Sequence, residues 1–170
     1  CGSSSRRPVA CSVLWHGSVD GDAIVAKTAP LLSGGGHGGG GHEGWVCDGD
    51  HHKWGWRAVE RGAKLTFQFG TSSQREGLTL DYMRSYGAEW GVVEVKISTA
   101  PRGGVAAYTS EKDVKKQEQQ RMLLDGKGSS NVSVGVVAHV KLPLDSWVNV
   151  CFTVVNGSKW KLLGMKVCTQ

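Results

Sequence analysis

Hydrophobic and polar positions alternate with a period of two in several runs near the middle of this chain. In the first of these runs, the alternation puts Leu65, Phe67 and Phe69 on one face of an extended strand and polar side chains on the other. Similar runs at 78–86 and 93–97 are separated from it by breaks rich in glycine and serine. The pattern predicts an antiparallel sheet that buries one of its faces.

The last third of the chain shows the same alternation and predicts strands at 132–138, 148–154 and 160–167. The dipeptide Asn156-Gly157 predicts a type I′ hairpin between the last two of them. About eight short strands, with frequent turns and no long helix, indicate an all-β fold. We expect an antiparallel β-sandwich of jelly-roll type with at most one short helix. The shorter apolar runs that complete the predicted strands lie at 11–15, 23–27 and 45–47.

The 170 residues are expected to form one sandwich domain at 11–170, preceded by a flexible arm at 1–10. A Gly/His-rich surface loop is predicted at 33–44, because a tract of glycines loses much conformational entropy when it becomes ordered. A polar insertion is predicted at 110–130, and it is either a short exposed helix or a solvated loop.

The net charge of +5 is modest, and the basic residues are interspersed with acidic ones along the chain. A nucleic-acid interface usually shows a basic stripe or run, so nucleic acid is not an expected partner. No apolar run approaches the roughly 20 residues that a membrane-spanning helix needs. The chain begins at Cys1, and we expect either a processed mature chain or a piece of a longer protein.

Five cysteines without any C-x-x-C spacing argue against a zinc or thioredoxin motif. They belong either to a secreted protein with disulfides or to a cytosolic protein with buried thiols. Two N-glycosylation sequons, which begin at Asn131 and Asn156, favour the secreted alternative. The sequence leaves the pairing open, although a bond between Cys11 and Cys168 would tie the ends of the chain together. The disulfide candidates are Cys11, Cys47, Cys151 and Cys168.

The residue types used in catalysis and metal binding do not form a recognisable motif. There is no G-x-S-x-G nucleophile elbow, and the contiguous stretch 16–20 (H-G-S-V-D) lacks the separated positions from which a catalytic triad is assembled. No two carboxylates are marked as a pair for glycoside hydrolysis. The histidines at positions 37, 42, 51 and 52 have no known metal-site spacing. We therefore expect a non-catalytic protein with no metal and no cofactor.

Aromatic composition is the strongest functional signal, with seven tryptophans against three phenylalanines and three tyrosines. An indole offers a flat apolar face on which the C–H groups of a sugar ring stack, while polar neighbours bond the sugar hydroxyls. The alternative is that these rings pack in the core and at the ends of the sandwich. A guanidinium at Arg84 would suit bidentate binding of a carboxylate. The predicted ligand-binding residues are Trp54, Trp56, Asp81, Arg84, Tyr86 and Trp90.

Three motifs resemble those of a known family. The stretch Lys53–Phe67 is similar to the pattern K-x-G-W-x-A-x-x-x-G-x-x-L-x-F, and Leu80–Tyr86 resembles a Y-L-R-S-Y-E segment. A closing K-F-K-L-L-G strand is similar to Ser158–Gly164. Between Trp45 and Cys168 the chain thus resembles the non-catalytic β-sandwich region found beside SGNH (GDSL-like) hydrolase domains in plant and green-algal secretory proteins. The resemblance implies a secreted β-sandwich, and it transfers no catalytic residue.

Together these features predict an extracellular, non-catalytic binding module whose partner is a cell-wall or matrix carbohydrate or a glycoprotein. Two alternatives stay open. One is a structural subunit of an extracellular glycoprotein assembly, which would contact other matrix proteins through a sheet edge or the glycine loop. The other is an accessory part of a secreted esterase.

Overall fold

Ten β-strands in two antiparallel sheets make up most of the described structure. The computed structural model describes residues 11–16, 20–32, 41–50, 53–74, 76–100, 120–129 and 131–169. The predicted all-β, jelly-roll-like sandwich is confirmed. The strands are β1 (Cys11–His16), β2 (Trp45–Asp50), β3 (Lys53–Ala58), β4 (Lys64–Gly70), β5 (Glu76–Arg84), β6 (Val92–Ala100), β7 (Gln120–Asp125), β8 (Val134–Lys141), β9 (Trp147–Asn156) and β10 (Trp160–Thr169).

The first sheet, called sheet A, has the strand order β2–β3–β10–β5–β8, with β1 also paired to β10. β10 is its central strand, since it pairs with β5 along most of its length. On the other side of β10, residues 160–162 pair with β3 and residues 164–168 pair with β1. β8 is the last strand at one end of this order.

The second sheet, called sheet B, has the strand order β4–β9–β6–β7. Its inner strands are β9 and β6, and Phe152 of β9 lies opposite both Leu65 of β4 and Val95 of β6. Because side chains alternate along each strand, every second residue faces sheet A and the others face outward.

The hydrophobic core lies between the two sheets, where the predicted alternation holds. Leu65 and Phe67 are fully buried, and Phe69 is 6% exposed. Trp160 of sheet A stacks on Tyr82 with ring centroids 5.2 Å apart, and its centroid is 6.2 Å from that of Phe152 in sheet B. This ring therefore joins the inward faces of both sheets. Full burial of a side chain such as Leu or Phe contributes roughly 1.5–3 kcal/mol.

A helix, α1 (Gly21–Thr28), occupies the position for which the sequence predicts a strand at 23–27, so that prediction is wrong. Asp20 caps the helix by accepting a hydrogen bond from the backbone N–H of Ala23 at 2.8 Å. Ile24 is fully buried and packs in the core. The N-terminal cap and this single apolar anchor outweigh the strand preference of the short apolar run. A 3₁₀ turn follows the helix at Ala29–Leu31.

The turn at Asn156-Gly157 does not form the predicted hairpin. β9 lies in sheet B whereas β10 lies in sheet A, so the turn carries the chain from one sheet to the other. Gly157 adopts the left-handed backbone that such a dipeptide favours, with a φ of 71°. Ser158 and Lys159 then donate backbone hydrogen bonds to the carbonyl of Glu89, both at 2.9 Å, which anchors the crossing.

The polar insertion predicted at 110–130 is partly a strand, because β7 lies within it. β7 pairs with β6 and sets Leu124 opposite Val93, and Leu124 is only 6% exposed. Met122 and Leu124, at alternate positions of β7, supply this inward contact, whereas Leu123 between them is 62% exposed. Outside the described residues lie the predicted arm and parts of the predicted loop and insertion, at 1–10, 33–40 and 110–119.

Two of the disulfide candidates, Cys47 and Cys151, carry free thiols. Cys151 alternates with the buried Val150 and Phe152 of β9 and therefore faces outward from sheet B, whereas Cys47 lies on β2 of sheet A, so the two thiols do not face one another. Burial raises the pKa of the Cys47 thiol, and the neighbouring carboxylate of Asp48 raises it further. The register of β1 and β10 sets Cys11 directly opposite Cys168.

Candidate functional site

The structure separates the six predicted ligand-binding residues, and two of them are core residues. Trp56 is 3% exposed and Trp90 is 5% exposed. Trp56 lies opposite Leu162 of β10, and the Nζ atom of Lys159 lies 5.3 Å from the centroid of the Trp90 ring. Neither indole offers a face on which a sugar could stack, so the exposed positions predicted for them are wrong.

Trp54 is half-buried and packs against the start of α1 and against β2. A Cβ atom at Gly21 would lie 2.5 Å from its ring, and a Cβ atom at Gly49 would lie 2.2 Å from it. Glycine at both positions therefore allows the ring to fit between the helix and the strand. This packing gives Trp54 a structural role.

Asp81 lies on sheet A, where its Oδ2 atom is 3.1 Å from Nζ of Lys166. A second ionic group of the same sheet joins Lys161 to Asp48, with Nζ 2.6 Å from Oδ1, and Arg57 also donates to Asp48. Burial alone would raise the pKa of Asp48. The bonds from Lys161 and Arg57 outweigh that effect and hold the pKa below its ordinary value of 3.8. Arg57 and Asp48, and Lys166 and Asp81, bond across adjacent strands, whereas Lys161 reaches past β3 to Asp48, and together these bonds make the groups part of the sheet's framework.

Two of the predicted site residues lie near the end of β5, where Arg84 is the last residue of the strand and half-buried and Tyr86 follows two residues later at the surface. Tyr86 is 51% exposed. Arg84 donates from Nη2 and Nε to the carbonyl of Lys127, at 2.8 and 3.3 Å. The remaining N–H groups of the guanidinium are left for other acceptors.

Backbone contacts of Ser85 fix the loop that holds Arg84. The N–H of Ser85 donates to the carbonyl of Gly126 at 2.9 Å, and the N–H of Gly128 donates to the carbonyl of Ser85 at 2.7 Å. These bonds flank Lys127 and set the position of its carbonyl. The guanidinium is thereby oriented before any ligand arrives, which lowers the entropic cost of binding.

Ser133 joins this surface from a distant part of the chain, and Lys53 bonds to Ser133. The hydroxyl of Ser133 lies 2.5 Å from that of Ser85, and Nζ of Lys53 donates to the carbonyl of Ser133 at 3.3 Å. No sequence pattern indicates Lys127 or Ser133, because only the folding of the chain brings them beside the end of β5. We call the surface formed by Arg84, Tyr86, Lys127 and Ser133, around the buried Ser85, the Tyr86 end.

The Tyr86 end combines an exposed aromatic ring with cationic and hydroxyl groups. A tyrosine ring offers an apolar face for stacking and a hydroxyl for hydrogen bonding. An oriented guanidinium donates to hydroxyl or carboxylate oxygens in its own plane. The arrangement suits a polyhydroxylated ring held by one face and by its rim.

A second concave feature, the edge groove, lies between the last strands of the two sheets and has a volume of about 230 Å³. β6 and β7 supply one wall and β8 supplies the other. It lies toward the opposite end of β8 from Ser133, so it is separate from the Tyr86 end. No pattern in the sequence indicates it, because its walls come from different sheets. The residues that line it are Val95, Ile97, Gln120, Arg121, Met122, His139, Val140 and Lys141.

Neither a metal site nor a membrane-spanning helix is present among the described residues. Within them, no three His, Cys, Asp or Glu side chains are grouped so that they could hold a metal ion. His37, His51 and His52 lie outside the described ranges, and His42 packs its ring 5.4 Å from that of Trp56. No helix in the described part of the chain is long and apolar enough to cross a membrane.

No protein-family model and no curated protein matches the chain in sequence. Its fold is similar to that of a xylan-binding module of the type CBM15, with a TM-score of 0.50, 10% identity, and coverage of 95% of this chain and 97% of that one. A CBM35 module of Abf62 from Cellvibrio japonicus aligns with a TM-score of 0.45 and 14% identity, over 81% of this chain and 90% of that one.

A two-domain esterase active on acetylated mannans, crystallised with mannopentaose, aligns with a TM-score of 0.45 and 12% identity over 76% of this chain. The aligned part spans 33% of that enzyme's chain. At identities this low, the likeness to the xylan-binding module shows a shared two-sheet fold.

Proposed function

We propose that this chain is a non-catalytic carbohydrate-binding module. The observation that carries the proposal is the match to a xylan-binding module along nearly the full length of both chains. A shared fold does not by itself define a ligand, so the binding site has to be argued from side chains.

The Tyr86 end is the proposed contact surface. Of the six residues predicted from sequence, Tyr86 is exposed and Arg84 lies two residues before it, and hydrogen bonds fix the residues beside them. Tyr86 would stack on the sugar ring, while Arg84 and Lys127 would donate to its oxygens. Asp81 and Trp54 have contacts within the fold instead, through the ionic pair with Lys166 and through packing on α1.

An extracellular setting belongs to the same proposal. Asn131 and Asn156 are both exposed, as glycan attachment requires. The register that sets Cys11 opposite Cys168 supports a disulfide between them, which would join β1 to β10. Peptide mass mapping without reduction tests this bond, and recovery of both cysteines as free thiols would contradict it.

The resemblance to sandwich regions beside SGNH hydrolase domains favours a second, compatible setting, in which this module accompanies a secreted esterase. In that setting the chain would hold the polysaccharide while a separate domain cleaves ester groups from it. The chain alone should then release no acetate from acetylated polysaccharide, and measurable release would contradict the non-catalytic assignment.

A glycan array tests the main proposal, followed by affinity electrophoresis in gels that contain soluble cell-wall polysaccharides. Xylan, mannan, β-glucan and pectin cover neutral and acidic backbones. Retention by at least one of them, and release by the free oligosaccharide of the same backbone, is the expected result. Migration unchanged in every gel, with no signal on the array, would overturn the proposal.

A further inference from the structure

The indole of Trp147, the first residue of β9, lies on the outward face of sheet B. Trp147 alternates with the buried Val148 and Val150 along that strand, so its side chain points away from sheet A. It is half-buried, and it does not pack against the core of the described residues. The structure describes all seven tryptophans; five of them are buried and Trp54 packs against the core, so Trp147 differs from the other six.

The neighbouring position on β4 is a glycine, which leaves room for the indole to lie over that strand. Trp147 pairs with Gly70, and a Cβ atom at Gly70 would lie 3.8 Å from Cε2 of the ring. In the described part of sheet B, β4 is an edge strand, so no further strand covers the ring on that side. Covering an exposed glycine is one structural use of an aromatic ring. That use accounts for the side of the ring that lies over β4 and leaves the other side turned away from the sheet.

Hydrogen bonds fix the backbone on both sides of this contact. The N–H of Thr71, which follows Gly70, donates to the carbonyl of Ser146 at 2.8 Å. In return, the N–H of Ser146 donates to the Thr71 hydroxyl at 3.0 Å, and that hydroxyl donates to the carbonyl of Pro143 at 2.7 Å. Since Ser146 directly precedes Trp147, the indole is positioned before a ligand arrives, which lowers the entropic cost of binding.

The next row of outward side chains supplies hydrogen-bonding groups. Asn149 follows Trp147 by two residues and therefore lies on the same face. Gln68 of β4 and Ser98 of β6 are its partners on either side, and all three side chains are half-buried. Amides and hydroxyls both donate and accept hydrogen bonds. The row lies about 7 Å from Trp147 along the strand, so one oligosaccharide can contact both.

The side chains of this surface carry no charge. Lys96, two residues before Ser98 on β6, is the cation of the following row, and its Nζ atom lies 3.0 Å from a carboxylate oxygen of Glu94. An indole with amides and a hydroxyl beside it, next to an already paired cation, suits an uncharged polyhydroxylated ligand.

This surface lies far from the Tyr86 end. Trp147 begins the ten-residue strand β9, and Asn156 ends it. Beyond Asn156 the chain bonds to Glu89, which follows Tyr86 by three residues. A strand of this length spans roughly 30 Å. One sugar unit cannot contact both places.

We propose that the outward face of sheet B at Trp147 is a second carbohydrate-binding surface, which takes a neutral glycan chain. A sugar ring stacks on the indole, and the neighbouring row bonds hydroxyl groups of that sugar and of the adjoining unit. The inference rests on the proposed function of carbohydrate binding, but not on the Tyr86 end. Two surfaces on one chain hold a long polysaccharide more strongly than either surface alone. The surface, called the Trp147 face, consists of Trp147, Gln68, Asn149 and Ser98.

Two-dimensional NMR of the isotope-labelled whole chain tests the proposal, because each indole N–H gives a signal of its own. The signal of Trp147 is identified by its absence from the spectrum of Trp147→Phe. The probes are xylohexaose, mannohexaose and cellohexaose, which are neutral oligosaccharides with different backbones. At least one of them should shift the Trp147 signal in a saturable manner, both in the unmodified chain and in Tyr86→Ala.

Isothermal titration of variants made in the Tyr86→Ala chain measures the Trp147 face by itself. Trp147→Leu keeps an apolar cover over Gly70 but removes the flat ring, so the Kd should rise at least about tenfold. Leu123→Ala is the matched control, because Leu123 is a 62% exposed apolar residue of β7, at the other edge of sheet B. Its Kd should be unchanged. Urea unfolding of each variant shows that the fold is retained.

A Trp147 signal that shifts in Tyr86→Ala, together with weaker binding by Trp147→Leu, supports the proposal. A probe that shifts other signals but leaves the Trp147 signal unchanged overturns it, while the proposed function stands. A Trp147 shift that disappears in Tyr86→Ala also overturns it, because the change would then come from the Tyr86 end. If neither these probes nor the oligosaccharide identified on the array shifts any signal, this inference and the proposed function both fail.

Discussion

The ammonium of Lys161 lies 2.6 Å from a carboxylate oxygen of Asp48, although the Lys161 side chain is only 1% exposed. The pair joins β10 to β2, two strands that are not adjacent in sheet A. Because burying an unpaired charge is costly, the carboxylate of Asp48 offsets the cost of placing the Lys161 ammonium at this depth. The pair is therefore a structural connection between the centre of the sheet and its edge.

Replacing Asp48 should reduce the stability of the fold more than replacing Lys161. Asp48→Asn leaves the Lys161 ammonium buried without its counter-charge, and we expect a loss of about 2–3 kcal/mol in the free energy of unfolding. Lys161→Met replaces the lysine with an apolar side chain, while Asp48 keeps Arg57 and contact with water, so we expect a loss of about 1 kcal/mol or less. Urea unfolding monitored by tryptophan fluorescence measures both. A larger loss for Lys161→Met would contradict this account.

The same pair should contribute to the pH dependence of stability. The pKa of Asp48 in the folded chain is held below its ordinary value of 3.8, so its contribution is present above that value. It is lost as the pH falls from about 5 through 3.8 toward the folded-state pKa. Urea midpoints measured over this range should fall less steeply for Asp48→Asn than for the unmodified chain.

Asp145→Asn is the control for that measurement. Asp145 is exposed and has a φ of 44°, a conformation that asparagine also tolerates. Its substitution should leave the slope of stability against pH unchanged. Identical slopes for all three proteins would show that Asp48 has no role in acid sensitivity.

Gly91 should tolerate no side chain. A Cβ atom there would lie 1.8 Å from the carbonyl oxygen of Asn156, which belongs to the backbone of the crossing between the sheets. Gly91→Ala should therefore cost at least about 2 kcal/mol, or about 4–8 °C in Tm for a chain of this size. Gly135→Ala is the matched control, because its nearest neighbour would be Leu163 Cδ1 at 4.0 Å. If the Gly91→Ala protein were as stable as the Gly135→Ala protein, the backbone at Asn156-Gly157 would have to shift and make room for the added methyl group.

Alternation with a period of two predicts the strands and their inward residues well, because the direction of a side chain in a strand depends only on its position along that strand. Even the burial of Trp56 is present in the sequence, since Trp54, Trp56 and Ala58 occupy alternate positions of one strand. The pairing of strands is not local, so Asn156-Gly157 indicates a turn without indicating that β9 and β10 enter different sheets.

The candidate sites depend even more on non-local pairing. Arg84 and Tyr86 are close in sequence, so local sequence is enough to propose them as a pair. Lys127 reaches the Tyr86 end through its loop's bonds to Ser85. Lys141 and Gln120 meet at the edge groove from strands of different sheets. No periodic or spacing rule relates such positions before the topology is known.

Both sequons should carry glycans when the chain is expressed through a eukaryotic secretory pathway. Asn131 and Asn156 are exposed, and each is followed by the serine that the sequon needs. Enzymatic removal of N-glycans should lower the apparent mass in two steps. Asn131→Gln and Asn156→Gln should each abolish one step. A chain that is secreted without either glycan would contradict the prediction.

Loss of the Tyr86 ring should weaken binding to whichever polysaccharide the array identifies. Tyr86→Ala removes the exposed stacking face, and we expect the Kd to rise about tenfold or more, as loss of roughly 1.4 kcal/mol implies. Tyr86→Phe keeps the ring and removes one hydroxyl, so its Kd should rise less than about threefold. Isothermal titration with the matching oligosaccharide measures both variants, and urea unfolding should show unchanged stability because the side chain is 51% exposed. Equal affinity of the alanine variant and the unmodified chain would place the glycan away from the Tyr86 end.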